Sequence, residues 1–126
     1  KGFQARFGAL PTQPYITNAY DATVLVGLAM QQARSNESTA IRDAIRKVTD
    51  PQGETIHAGS DELKKAAALL ADGRTIRYVG ASGPLQFDAQ GDISAPMVVW
   101  TLKDGKVTTT GMIGVEQIEE LRGGSK

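Results

Sequence analysis

The chain has 126 residues, 14 Lys+Arg against 14 Asp+Glu, and a formal net charge of zero, which excludes a general attraction to nucleic acid or anionic lipid. It has no cysteine, which excludes disulfides, thiolate metal sites and cysteine nucleophiles. Hydrophobic content of 40% and charged content of 22% are ordinary for one globular domain, and no signal peptide or membrane-spanning run is visible.

Phe3 and Phe7 stand four apart, like the last turns of a helix, and Lys1-Gly2-Phe3 does not read as the start of a domain. The chain therefore reads as a fragment or a processed product. Pro11 and Pro14 bracket a short extended stretch. The longest helix is predicted over Tyr15 to Ala33. Ile16, Tyr20, Val24 and Leu28 form one apolar line, and Ala19, Ala22, Val26, Ala29 and Ala33 a second, so the helix is expected to be buried on more than one side. Asn18 followed by Asp21 marks an alternative start with a local cap.

A second helix is predicted over Thr39 to Val48, capped by Ser38, with Ile41, Ile45 and Val48 inward. Asp50-Pro51-Gln52-Gly53 ends it, and Glu54 to Gly59 reads as loop with a short extended piece at Thr55-Ile56. The third helix starts at Ser60 as N-cap, with Asp61 and Glu62 at the positive end of the dipole. Leu63, Ala66, Ala67 and Leu70 face inward, and Gly73 supplies the left-handed stop. The period then changes. Ile76 to Val79 and Pro84 to Phe87 are extended, and Asp88 to Asp92 is a turn. Met97 to Leu102 is a strand apolar on both faces, with Trp100 packed, as in a covered sheet. Asp104-Gly105 fits a tight hairpin turn into Val107 to Thr110. Glu116 to Leu121 is a last helical turn, and the Gly-rich end is frayed.

Catalytic and metal motifs are weak. Gly80-Ala81-Ser82-Gly83 lacks the Lys-Ser/Thr and following helix of a phosphate loop, so it reads as a structural turn. Asp88 and Asp92 lack the alternating ligands of a calcium loop and read as aspartates bonding their own turn. His57 is the single histidine, without a nucleophile elbow, and reads as a solvated loop side chain. No cofactor, metal site or catalytic set is expected.

Three elements occur together in order: Tyr20-Asp21-Ala22 at the long helix, Gly83 to Asp92 as Gly-Pro-aliphatic-x-Phe-Asp-x-x-Gly-Asp, and the strand and turn from Met97 to Gly105. On these motifs the chain, over about Phe3 to Val107, resembles the C-terminal portion of the periplasmic branched-chain amino-acid (leucine/isoleucine/valine-type) receptors that serve ABC importers. The resemblance implies an α/β fragment of a type I periplasmic binding protein fold: three helices, then short strands and a C-terminal hairpin. Residues 1–95 would be the second half of the first lobe, 96–113 the last crossover strand and hairpin, and 114–126 a tail. It further implies a non-catalytic, extracytoplasmic receptor that closes on an amino acid or related small carboxylate or amide and docks on an ABC permease. One pocket position in these receptors falls near Thr17, with Tyr15 and Asn18 as neighbours, so these three are the candidate ligand contacts. Relatives that bind aliphatic amino acids often place an aromatic residue there; Thr17 departs from this and suits a more polar or larger ligand. A ligand-sensing receptor or regulator on the same fold is the alternative, followed by a stand-alone α/β enzyme. Alone, the chain is expected to leave apolar faces uncovered, to form an oligomer and to bind no ligand.

Overall fold

The computed structural model describes residues 2–10 and 15–123. The extended stretch expected between Pro11 and Pro14 lies outside the described residues. The chain forms two compact units, one up to Gln86 and one from Phe87 onward.

The first unit opens with a short helix, α1 (Gly2–Phe7), whose Phe3 and Phe7 rings lie 4.6 Å apart between centroids, tilted by 41°. Two helices follow, α2 (Ile16–Ala33) and α3 (Ser38–Ile45), and then strand β1 (Glu54–His57). Helix α4 (Ser60–Ala71) crosses over to strand β2 (Ile76–Gly80), and a two-residue strand β3 (Gly83–Pro84) turns back. The sheet order is β1-β2-β3. β1 and β2 are parallel, with Glu54 opposite Ile76 and His57 opposite Val79, while β3 is antiparallel to β2. The stretch Glu54 to Gly59, expected to be mostly loop, thus carries β1, the first strand of a βαβ unit completed by the expected helix and the expected extended segment at Ile76.

Local chemistry explains the ends of α4. Gly59, not Ser60, occupies the cap position, with φ 145°, and no side chain caps the helix. Glu62 instead reaches back and accepts a hydrogen bond from the His57 backbone N–H at 3.1 Å. At the other end the Arg74 N–H donates to the Leu69 carbonyl and the Gly73 N–H to the Leu70 carbonyl. Gly73 sits at φ 73°, so the helix closes with the paired bonds of a Schellman motif. Glu54 ties β1 to this helix: its carboxylate meets Lys65 at 2.8 Å and Arg74 at 2.7 Å. The hydrogen bond from Lys65 is the main reason its carboxyl titrates below the ordinary range.

The core of this unit joins Leu25, Leu28 and Ala29 of α2 to Ala66, Leu69 and Leu70 of α4, with Ala44, Val48, Ile56, Ile76 and Tyr78. Each large apolar side chain fully buried here contributes about 1.5–3 kcal/mol of transfer free energy. The buried face of α2 differs from the two lines expected. It runs Asp21, Leu25, Leu28 and Ala29, and Tyr20 is exposed. The helix is therefore turned by about one residue, and one of its inward positions is an acid. α3 ends at Ile45, short of Val48, and its cap position is Glu37 rather than Ser38. Val48 is still fully buried, and its carbonyl accepts from the Tyr78 N–H at 2.9 Å. Gly53 packs directly on β2: a Cβ there would lie 2.3 Å from the Ile76 carbonyl carbon.

The second unit is built on a hairpin, β4 (Met97–Lys103) and β5 (Lys106–Ile113), followed by α5 (Val115–Gly123). Asp104 and Gly105 have φ 52° and 72°, the two positive values of the tight hairpin turn expected from the sequence. The register shifts between Val99 and Trp100, a bulge. The Asp88 turn is as expected: its carboxylate accepts from the Gln90 and Asp92 N–H groups. The expectation of a covered strand with a packed Trp100 is corrected. Every residue of β4 is exposed, Trp100 at 58%. Val98, Trp100 and Leu102 alternate onto one face, joined there by their neighbours Met112 and Val107 on β5.

Candidate functional site

α2 carries the three expected contact residues at its head. Tyr15 is the cap residue, in the left-handed region at φ 67°, and makes no side-chain capping bond. It is 78% exposed; Thr17 is half-buried and Asn18 exposed. The first intrahelical bond from this end runs from the Ala19 N–H to the Tyr15 carbonyl at 2.9 Å. The N–H groups of Ile16, Thr17 and Asn18 thus have no acceptor within the helix. No acidic residue stands in the first turn. The positive end of an 18-residue helix is left without a carboxylate of its own. Asn18 and Asp21 do not form the alternative cap; the helix already begins at Ile16.

One turn beyond Thr17 lies the most constrained polar group among the described residues. Asp21 is 1% exposed. Its Oδ1 accepts from the Tyr78 hydroxyl at 2.9 Å and from the Ala81 N–H at 2.8 Å. Its Oδ2 accepts from the Ser82 N–H at 2.7 Å and the Ser82 hydroxyl at 2.5 Å. Four donors on one buried carboxylate satisfy it fully. Burial, and then the hydrogen bond to Asp21, push the Tyr78 phenol well above its ordinary 10.0. Gly80 makes the approach feasible, since a Cβ there would sit 2.3 Å from the Asp21 carboxylate. The Gly80-to-Gly83 turn does hold an anion with its backbone N–H groups, as a phosphate loop would, but the anion is the protein's own.

The sequence patterns missed this cluster because an acid does not count toward an apolar stripe. The signal was nonetheless present: Asp21 falls four residues before Leu25 and seven before Leu28, on the inward line.

Two hollows open elsewhere. One of about 240 Å³ is lined by Thr49, Arg77, Val79, Pro84, Leu85 and Gln86, with Tyr78 at its back. Another, of about 380 Å³, lies in the second unit beside Asp92, Ile93, Met97 and Ile118. Neither includes Tyr15, Thr17 or Asn18. Among the described residues no group of three or more His, Asp or Glu is placed to hold a metal ion, and no helix is long and apolar enough to cross a membrane. His57 is exposed.

The chain is 30% identical over 105 residues to the chemotactic signal transduction system substrate-binding protein BasB of Halobacterium salinarum. That match takes in 83% of this chain and 25% of the relative, so the chain spans about a quarter of the relative's length. No solved structure matches it significantly. Residues 1–105 match the family described as the receptor family ligand binding region. The mixed helices and strands are those of a fragment of a type I periplasmic binding protein fold, and the chain belongs to this receptor ligand-binding family.

Proposed function

We propose that this chain is the C-terminal part of an extracytoplasmic solute-binding receptor whose ligand is an amino acid or a related small carboxylate or amide. The observation that carries this is the head of α2. Among the described residues its first-turn N–H groups have no acceptor within the helix, Tyr15 makes no capping bond and the first turn holds no acid, which suits a ligand carboxylate. Tyr15, Thr17 and Asn18 are the contacts. Residues 1–95 complete one lobe, 96–113 form the crossover strand and hairpin, and 114–126 the tail. The receptor binds without catalysis: lobes close on the ligand, and the closed form is recognised by an ABC permease.

A second reading is favoured by the relative's printed name, which places that protein in chemotactic signalling. On this reading the closed form is read by a membrane signalling protein rather than a permease. Ligand capture at α2 is common to both.

The test is a calorimetric titration of the complete receptor with the standard amino acids, repeated with Thr17→Val and Asn18→Ala. A lost hydrogen bond to a charged ligand group should weaken binding about tenfold or more. Full affinity in both variants would refute the assignment. The 126-residue chain alone should show no binding, and micromolar binding by it would equally count against a site shared with the rest of the receptor. Import and taxis assays on a strain lacking the gene separate the two readings.

A further inference from the structure

We infer that Asp21 is a positioning residue for the ligand site: it locks the head of α2 onto the Gly80-to-Gly83 turn and so sets the direction in which Thr17 and Asn18 are presented. The inference rests on the ligand site proposed above.

Three observations carry it. First, Asp21 is the single fully buried side chain between Ile16 and Val24; Ile16, Thr17 and Val24 are half-buried, and fully buried apolar side chains begin at Leu25. The leading third of the helix thus has one fully buried side chain, and it is polar. Apolar packing is non-directional, whereas hydrogen bonds to a carboxylate fix angle as well as distance. Second, the cap residue Tyr15 makes no side-chain capping bond that would share that hold. Third, all four donors to Asp21 come from β2 and the turn after it, 57 to 61 residues away in sequence. Gly80 leaves the room they need. Thr17 lies four residues before Asp21, on the same side of the helix and one turn nearer the head. A tilt about Asp21 therefore moves Thr17 directly.

A leucine at this position would fix no direction and would leave the Tyr78 hydroxyl and the Ala81 and Ser82 N–H groups without their acceptor. The carboxylate therefore suits a role in aiming the helix as well as packing it.

The experiment compares the complete receptor with Ser82→Ala, Ser82→Thr and Tyr78→Phe by hydrogen exchange, thermal melting and titration. The titrant is whichever standard amino acid gives the wild type its largest thermal shift. Ser82→Ala and Tyr78→Phe remove different donors from one carboxylate, so both should give one pattern. Exchange at the amides of residues 19–23 should rise about tenfold more than it does at residues 25–33. Affinity should fall about tenfold, the melting point should drop by no more than the loss of one buried hydrogen bond explains, and Ser82→Thr should restore affinity and melting point. Loosening spread evenly along α2, or none at all, would overturn the inference. So would local loosening with unchanged affinity. In that last case Thr17→Val and Asn18→Ala separate the causes: if they weaken binding, the site stands and only the positioning role fails; if they do not, the site itself is misplaced.

Discussion

Replacing Tyr78 by Phe isolates one hydrogen bond in the core. The ring is fully buried and its hydroxyl donates to Asp21 at 2.9 Å. Phenylalanine keeps the ring, so little cavity forms, but the carboxylate loses one of four donors. A hydrogen bond to a charged partner contributes about 1.5–3 kcal/mol, and the variant should be less stable by that amount near neutral pH. The difference should then depend on pH. Burial and Asp21 hold the folded phenol well above 10.0, whereas the unfolded phenol loses its proton near that value. A raised folded pKa contributes stability that is whole below about pH 10 and is lost as pH rises through the interval above it. At one pH unit above the unfolded pKa the wild type should have lost about 1.4 kcal/mol from this group, and the variant nothing from it. The gap between the two should narrow by that amount, since the variant differs from the wild type in this one group. Urea unfolding followed by far-UV circular dichroism, near neutral pH and again at about pH 11, measures it. Equal stability at neutral pH, or a gap that stays constant into alkali, would refute the account of Asp21 as the phenol's acceptor.

Gly53→Ala should destabilise by about 1–3 kcal/mol or more, because the new Cβ meets the β2 backbone, whereas Gly111→Ala, which faces open space, should be near neutral in the same urea assay. Glu54→Gln should matter least in acid. The folded carboxyl titrates below its ordinary 4.5, so its contribution is present above that value and fades as pH falls through the folded one. Wild-type and variant urea midpoints should therefore converge on acidification; a constant separation would refute the Lys65 and Arg74 contacts. The isolated chain should self-associate through the exposed face of Val98, Trp100, Leu102, Val107 and Met112, and Trp100→Thr with Leu102→Thr should lower its mass in light scattering. A wild-type monomer at high concentration would be the contrary result.

Where local chemistry decided the outcome, the sequence was legible. Gly73 after an apolar period and Asp104-Gly105 between alternating residues each demand a particular backbone, and each adopts it. β1 was harder to see: Glu54-Thr55-Ile56-His57 has one buried residue and owes its strand form to pairing with β2, a partner more than twenty residues on. The orientation of α2 was misjudged because its alanines supply apolar letters on exposed faces, while its most buried leading residue is an aspartate. The same limit applied to the site. Helix geometry leaves the first N–H groups of α2 without acceptors within the helix, but the donors that hold the helix at Asp21 come from the far end of the unit. β4 showed the opposite failure: its apolar pattern promises cover, yet the strand is exposed.

The span between Asp21 and Ser82 also orders events during synthesis. The helix bearing the acid leaves the ribosome 61 residues before the serine that completes its shell. At about 5–20 residues per second that is a delay of roughly 3–12 s. Through that interval the carboxylate is served by water, and the leading turns of α2 have no permanent seat. The apolar half beyond Leu25 is free to settle sooner, against α3 and then α4. Nascent-chain protease sensitivity should therefore linger longest at the very end of the helix that was made first.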